Sequence, residues 1–238
     1  MLHELLNKLG VYYAKRRYMP VGIDWLWDLQ RLRGAKSIAC IFDVGANEGQ
    51  TALSLQKNFP RARIHSFEPV ATTFNALMRN VANSANISCH QMAMGSACGA
   101  AKMATGPNSL VNRLAPEQTS SGDGQLMESV QMETIDGFCR RHDIGHVDIL
   151  KIDVEGAELA VIEGATQMLR EGRIDFAFVE IGFSARDVGH SFVAEVIHLL
   201  SRGGLGLYAI YDYCRLVPPD YVRDGRMPVF ANALFAKE

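Results

Sequence analysis

Two stretches of the chain hold residues suited to gripping and activating a small molecule. In IACIFDVGANEGQTALSLQ, Ile38 to Gln56, an apolar run ends at Asp43, and Gly45 and Gly49 follow with Ala46 and Asn47 between them. The glycines let the backbone turn tightly and come close to a ligand. Asn tolerates a left-handed backbone better than most residues. A second acid, Glu68, followed by Pro69, ends the run IHSFEP. A dinucleotide site would need G-x-G-x-x-G with a pyrophosphate on the helix N-terminus. G-A-N-E-G lacks the third glycine, and a carboxylate at Asp43 would repel a pyrophosphate. That carboxylate suits an ammonium group, and Glu68 suits the two hydroxyls of a ribose. Ribose plus ammonium without phosphate describes S-adenosylmethionine. The plainer alternative makes both acids caps at strand ends.

The other stretch is LKIDVEGAEL, Leu150 to Leu159. If the strand runs through Ile152, Asp153 and Glu155 stand at its exit, and Gly156 turns the chain into a helix. Glu180 ends another apolar run and is expected next door, with Lys151 a partner for the group. Methyl transfer needs a nucleophile at about 3–3.5 Å, in line with the breaking bond. An alcohol is a poor nucleophile while it keeps its proton, and a carboxylate taking that proton contributes ~10²–10⁴-fold. Asp153 or Glu155 is the expected base, Asp153 ahead. The plainer reading makes Glu155 a helix-start acid. Glu158 and Glu163 are expected on a solvated helix face. Asp153, Glu155 and Glu180 could instead hold Mg²⁺ through oxygen, but no aspartate-rich spacing demands a metal, and none is assigned. The histidines at 65, 90, 142, 146, 190 and 198 show no paired metal spacing; His190 could touch substrate or serve as a cap.

These residues need a scaffold, and the hydrophobic pattern supplies one. Strand-like runs at Ile38–Asp43, Arg63–Phe67, Ile87–Met94, Val147–Ile152 and Ile174–Ile181 alternate with helical patterns. Phe74, Leu77, Met78 and Val81 follow the i, i+3, i+4, i+7 rule. A further helix carries Leu159, Ile162, Ala165 and Leu169, and another spans Phe192–Leu200. Short apolar strands alternating with helices predict an α/β fold, a mostly parallel sheet with helices on both faces. Leu205–Tyr211 and Val229–Phe235 close the chain as an antiparallel pair, because the segment joining them lacks a helical period. Gly95–Ser129, rich in Gly, Ala and Ser, is predicted as a long loop flanked by short strands near 100–104 and 129–133. That loop and the N-terminal helices are expected to form the acceptor pocket and a lid.

The 238 residues suit one large domain, 37–238, behind a helical extension at 1–36. Hydrophobic residues make up 48% and the formal net charge is −2, so the strong basic excess of a nucleic-acid binder is absent. No run approaches the ~20 apolar residues of a membrane span. Leu2, Leu5, Leu6 and Leu9 make one helical face ahead of Lys15, Arg16 and Arg17. Such a helix packs on its own domain or a second subunit, or rests on an anionic membrane. Five scattered cysteines, Cys40, Cys89, Cys98, Cys139 and Cys214, read as reduced thiols of a cytoplasmic chain.

FDVGANEGQTA, IHSFEP, TIDGFC, and VDILKIDVEGAELAVIEGA followed by FVEI resemble the FkbM family of S-adenosylmethionine-dependent methyltransferases, from about Ile38 to Ile181. The closing NALFA is also family-like. The resemblance implies a seven-stranded class I methyltransferase (Rossmann-like) sheet and methyl transfer to a hydroxyl of a sugar, glycolipid or secondary metabolite. It implies that Asp43, Gly45, Ala46, Asn47 and Gly49 form the first cofactor motif, Asp43 facing the methionine end, and that Glu68 and Pro69 meet the ribose. The third strand ends in QMAMG, without an acid for the adenine amino group. Adenine is then expected against backbone and apolar groups, Met92 and Met94 among them. The acceptor is a small molecule or glycan, with a homo-oligomer open. A nicotinamide-dependent oxidoreductase and a non-catalytic cofactor-binding module are the alternatives.

Overall fold

The computed structural model describes residues 18–34, 36–105, 113–114, 126–185, 189–212 and 230–237. The helix expected at 2–9, Cys214 and much of the long loop lie outside the described residues. Elements in chain order begin with α1 (Trp25–Arg33), β1 (Cys40–Val44), α2 (Gln50–Asn58), β2 (Arg63–Phe67), α3 (Ala71–Asn80) and β3 (Ile87–His90). Next come β4 (Ala93–Met94), β5 (Gly99–Thr105), β6 (Arg113–Leu114), β7 (Leu126–Glu133), α4 (Ile135–Arg141) and β8 (Val147–Ile152). The chain closes with α5 (Glu158–Glu163), α6 (Thr166–Arg170), β9 (Ile174–Gly182), α7 (Val193–Arg202), β10 (Leu205–Tyr211) and β11 (Phe230–Lys237).

Seven strands form one sheet in the order β10-β11-β9-β8-β1-β2-β3. The five strands β9-β8-β1-β2-β3 pair parallel, and β11 is antiparallel to both β9 and β10. All six residues of β8 are buried, as a central strand covered on both faces requires. The chain builds outward from β1 through β2 to β3 and then returns to the other side of β1 at β8. Strand order therefore reverses between β1 and β8, and ligands bind beyond the carboxyl ends at such a point.

Alternation along β1 divides the core. Phe42 and Val44 pack on the side of α4–α7, with Phe138, Val161, Leu169 and Leu200. Ile41 packs on the other side with Leu29 of α1 and Ala52 and Leu55 of α2. Asp24 caps α1 by accepting from the Trp27 amide, and Trp25 stacks on Phe178 with ring centroids 4.0 Å apart. The same parity turns Asp43, Lys151 and Glu180 toward the α1 side. Asp43 is the register partner of Lys151, and Lys151 of Phe178, two residues before Glu180.

Two expectations about elements need correction, and one motif gains a structure. The run Ile87–Met94 is not one strand: Met92 N donates to His90 O, the chain turns, and Ala93–Met94 joins a second sheet of order β4-β7-β5-β6. The helix expected through Leu159–Leu169 is two short helices, because the Asp136 carboxylate accepts from the Gln167 and Met168 amides and starts α6 afresh. TIDGFC, seen in the sequence only as a motif, forms α4, capped by Thr134 on the Gly137 amide. The flanking strands of the long loop are present as β5 and β7, paired antiparallel.

Candidate active site

At the carboxyl ends of β1, β2 and β8 lies a cleft with about 710 Å³ of empty space, its solvent mouth included. That is ample for a small-molecule site. Its floor is the turn after β1. The Gly45 and Ala46 amides both donate to Phe67 O at 3.0 Å, clamping the turn to the end of β2. Gly45 has φ +75°, and a β-carbon there would stand 1.7 Å from Asp153 O, so the turn needs glycine to pass the end of β8. Asn47, with φ 48°, adopts the left-handed backbone expected of it. Gly49, φ 94°, opens α2 and backs on Leu77.

Gly45, Asn47, Glu68, Pro69, Met92, Met94, Asp153 and Glu155 all line this cleft. Glu68 Oε2 accepts from Asn47 N at 3.1 Å and Oε1 from Val70 N at 3.0 Å. Burial pushes the Glu68 carboxyl up to about 7, against the pull of those two amides. Asn47 Oδ1 is buried and accepts no hydrogen bond among the described residues, as a polar atom meant for a ligand would be. Met92, Met94 and Met103 supply an apolar wall. Met103 comes from β5 of the second sheet, and sequence reading missed it, since only that sheet's docking brings it here.

Asp43, Ala46 and Gly49 lie outside the lining. Asp43 is fully buried beneath the turn, with Lys151 Nζ 3.1 Å from its Oδ1. Lys151 also donates to Gly45 O at 2.8 Å and lies 3.4 Å from Asp153 Oδ2. Burial works against its charge, but the Asp43 and Asp153 carboxylates outweigh that and raise its pKa above the lysine range. Asp43 thus bears on the cleft through Lys151.

Glu158 overturns its expectation. It is fully buried, not on a solvated face. Its Oε1 accepts from Gly156 N at 3.0 Å and Val154 N at 3.3 Å. Its Oε2 accepts from Ser191 N at 3.0 Å and Ser191 Oγ at 2.7 Å. The turn carrying Asp153 and Glu155 is thereby tied to the segment carrying His190. Glu180 faces this acidic group, and burial, then the charges of Asp153, Glu155 and Glu158, push its carboxyl up to about 9. Glu163 is exposed, as expected.

Residues 43–205 match the methyltransferase FkbM domain. The chain belongs to the FkbM methyltransferase family. Its methyl donor is S-adenosylmethionine, and the Glu68 carboxyl, the orphaned Asn47 oxygen and the methionine wall of the cleft fit such a ligand. Among relatives, methyltransferase sdnD of Sordaria araneosa is 27% identical over 179 residues, 63% of this chain and 68% of that one. Hexuronic acid methyltransferase AglP of Haloferax volcanii is 24% identical over 187 residues, covering 72% and 73%. The fibrillarin pre-rRNA processing protein of Methanococcus jannaschii shares the fold at a TM-score of 0.50 and 14% identity, over 85% of this chain and 68% of that one. This is the class I methyltransferase fold.

Proposed function

We propose that this family member methylates a hydroxyl oxygen of a sugar, glycolipid or secondary metabolite. The observation that carries the proposal is the lining of one cleft by Glu68 and Asn47 on one side and Asp153 and Glu155 on the other. Bound S-adenosylmethionine supplies a methyl carbon on an already activated sulfonium leaving group. Glu68 accepts from the ribose hydroxyls, and Met92, Met94 and Met103 cover the adenine. Asp43 acts at one remove, holding Lys151 so that Gly45 O and Asp153 keep their places. Asp153, about two-fifths exposed, takes the acceptor's hydroxyl proton as the O–C bond forms and the S–C bond breaks. Glu155 is the second candidate for that proton. AglP, named for a hexuronic acid, supports a sugar-like acceptor.

Cys40, Cys89, Cys98 and Cys139 are free thiols, in keeping with a reducing cytoplasmic site of action. In this reading the catalytic domain runs over 37–238, with α1 ahead of it. The test is to incubate the protein with methyl-labelled cofactor and a host extract and to identify the labelled product. An O-methyl product, lost in Asp153→Asn with S-adenosylhomocysteine affinity retained, is expected. Label on nitrogen or carbon would overturn the proposed chemistry.

A further inference from the structure

Beside the cofactor cleft, three segments distant in sequence bring two carboxylates and an imidazole together. One oxygen each from Glu155 and Glu180 and one ring nitrogen of His190 lie within 4.8 Å of one another. Glu155 comes from the turn after β8, Glu180 from the end of β9, and His190 from the segment before α7. His190 Nε2 stands 3.5 Å from Glu180 Oε2, and its ring stacks on Phe230 with centroids 4.7 Å apart. Glu180 Oε2 is itself buried and accepts no hydrogen bond among the described residues. Lys151 already serves Asp43, Asp153 and Gly45 O.

We propose that Glu155, Glu180 and His190 bind one divalent cation of the Mn²⁺ class at the acceptor side of the cleft. The ligand set argues the class. Two carboxylates and one imidazole are a mixed oxygen–nitrogen triad open to first-row divalent metals, its carboxylates suiting Mn²⁺, whereas Mg²⁺ takes oxygen ligands and keeps its waters. The metal reading open to the sequence used Asp153, but in the structure His190 completes the group and Lys151 lies against Asp153. Sequence spacing could not reveal this, since His190 lies 35 positions after Glu155 in the chain. Glu158 is the outer shell. It bonds both amides flanking Glu155 and the residue after His190, and such support holds ligands in place. As Glu155 also lines the cofactor cleft, a cation here stands beside the incoming hydroxyl and lowers its pKa. This last step rests on the O-methylation proposed above; the binding site does not.

The test uses the full chain, stripped with EDTA and dialysed, and MnCl₂ as probe. Calorimetry and Mn²⁺ electron paramagnetic resonance are run on the wild type, Glu180→Gln, His190→Asn, Glu158→Gln and His146→Ala. Circular dichroism melts confirm that each variant is folded. One Mn²⁺ per chain is expected in the wild type and in His146→Ala, which alters the other histidine–acid group, held by Lys36 and Lys237 on Asp175. Affinity falls at least tenfold in folded Glu180→Gln and His190→Asn, and about 10–100-fold in Glu158→Gln. No uptake at millimolar Mn²⁺, or uptake unchanged by the Glu180 and His190 substitutions, overturns the site. Mn²⁺ bound without methyl transfer to any hydroxyl refutes the O-methylation reading and leaves the site standing. Full methyl transfer in EDTA with no Mn²⁺ uptake refutes the site alone.

Discussion

Lys151 Nζ sits 3.1 Å from Asp43 Oδ1, and the two residues are direct register partners on β8 and β1. The ammonium is buried with its partner, beneath the glycine turn that floors the cleft. Breaking a buried pair leaves one charge uncompensated, at about 3–5 kcal/mol. Lys151→Met is expected to destabilise the fold by that amount in urea denaturation, and Lys151→Met with Asp43→Leu to recover at least half. A loss under about 1 kcal/mol in the single variant would show that the charge has another partner.

The ribose contact proposed for Glu68 would link cofactor binding to pH. Its carboxyl is raised from an ordinary 4.5 to about 7 by burial. A raised acid keeps its proton longer in the folded state, so its share of stability is present below about 4.5 and fades as pH climbs through 7. Ribose hydroxyls donate to the ionised form, so ligand binding has the opposite sense. Affinity for S-adenosylhomocysteine should weaken as pH drops below about 7, by up to tenfold per unit. Glu68→Gln should bind about 10–150-fold more weakly at pH 8, from the loss of a charged acceptor, with a flat profile. A sloped profile in Glu68→Gln would assign the titration to another group.

Gly45→Ala places a β-carbon 1.7 Å from Asp153 O at φ +75°. Backbone strain and overpacking together cost about 2–4 kcal/mol. The thermal midpoint and cofactor affinity should fall together, since the turn and the exit of β8 must both shift.

Glu158 accepts from three amides and one hydroxyl, all drawn from the two segments that border the acceptor side. In Glu158→Ala those donors lose their partner, at ~1–3 kcal/mol for each one left buried. Turnover should fall at least tenfold with S-adenosylhomocysteine affinity nearly unchanged. Glu158→Gln, which keeps an acceptor oxygen, should restore part of the turnover.

His65 and His90 meet at 3.1 Å beside Phe67 and Phe138. Burial foremost, with neighbouring positive groups, lowers both to about 4 from 6.5. The unfolded chain then binds more protons between those values, so stability rises with pH from about 4 to 6.5 and levels above. Urea midpoints at pH 5 and pH 7 should differ less in His90→Gln than in the wild type.

Much of this was readable along the chain. Alternating apolar runs fix strands and helices locally, so the seven-stranded sheet and its antiparallel end were open to inspection. Positive backbone angles at Gly45 and Asn47 follow from which residues tolerate them, and the acids at 68, 153 and 155 follow from strand ends. What the sequence hid was contact between distant segments. Asp43 and Asp153 look alike as strand-end acids beside Lys151, yet the fold buries the first beneath the turn and leaves the second lining the cleft. Glu158 has the pattern of a surface helix residue, but the segment at Ser191 folds over it and supplies two donors. Met103 reaches the cleft wall only because a second sheet docks there, and His190 reaches Glu180 only because the chain turns back after β9. Residue type and spacing therefore determined the scaffold and the kind of chemistry, because those are local. Burial and pairing decided each acid's role, because they arise only when strands separated by scores of residues lie side by side.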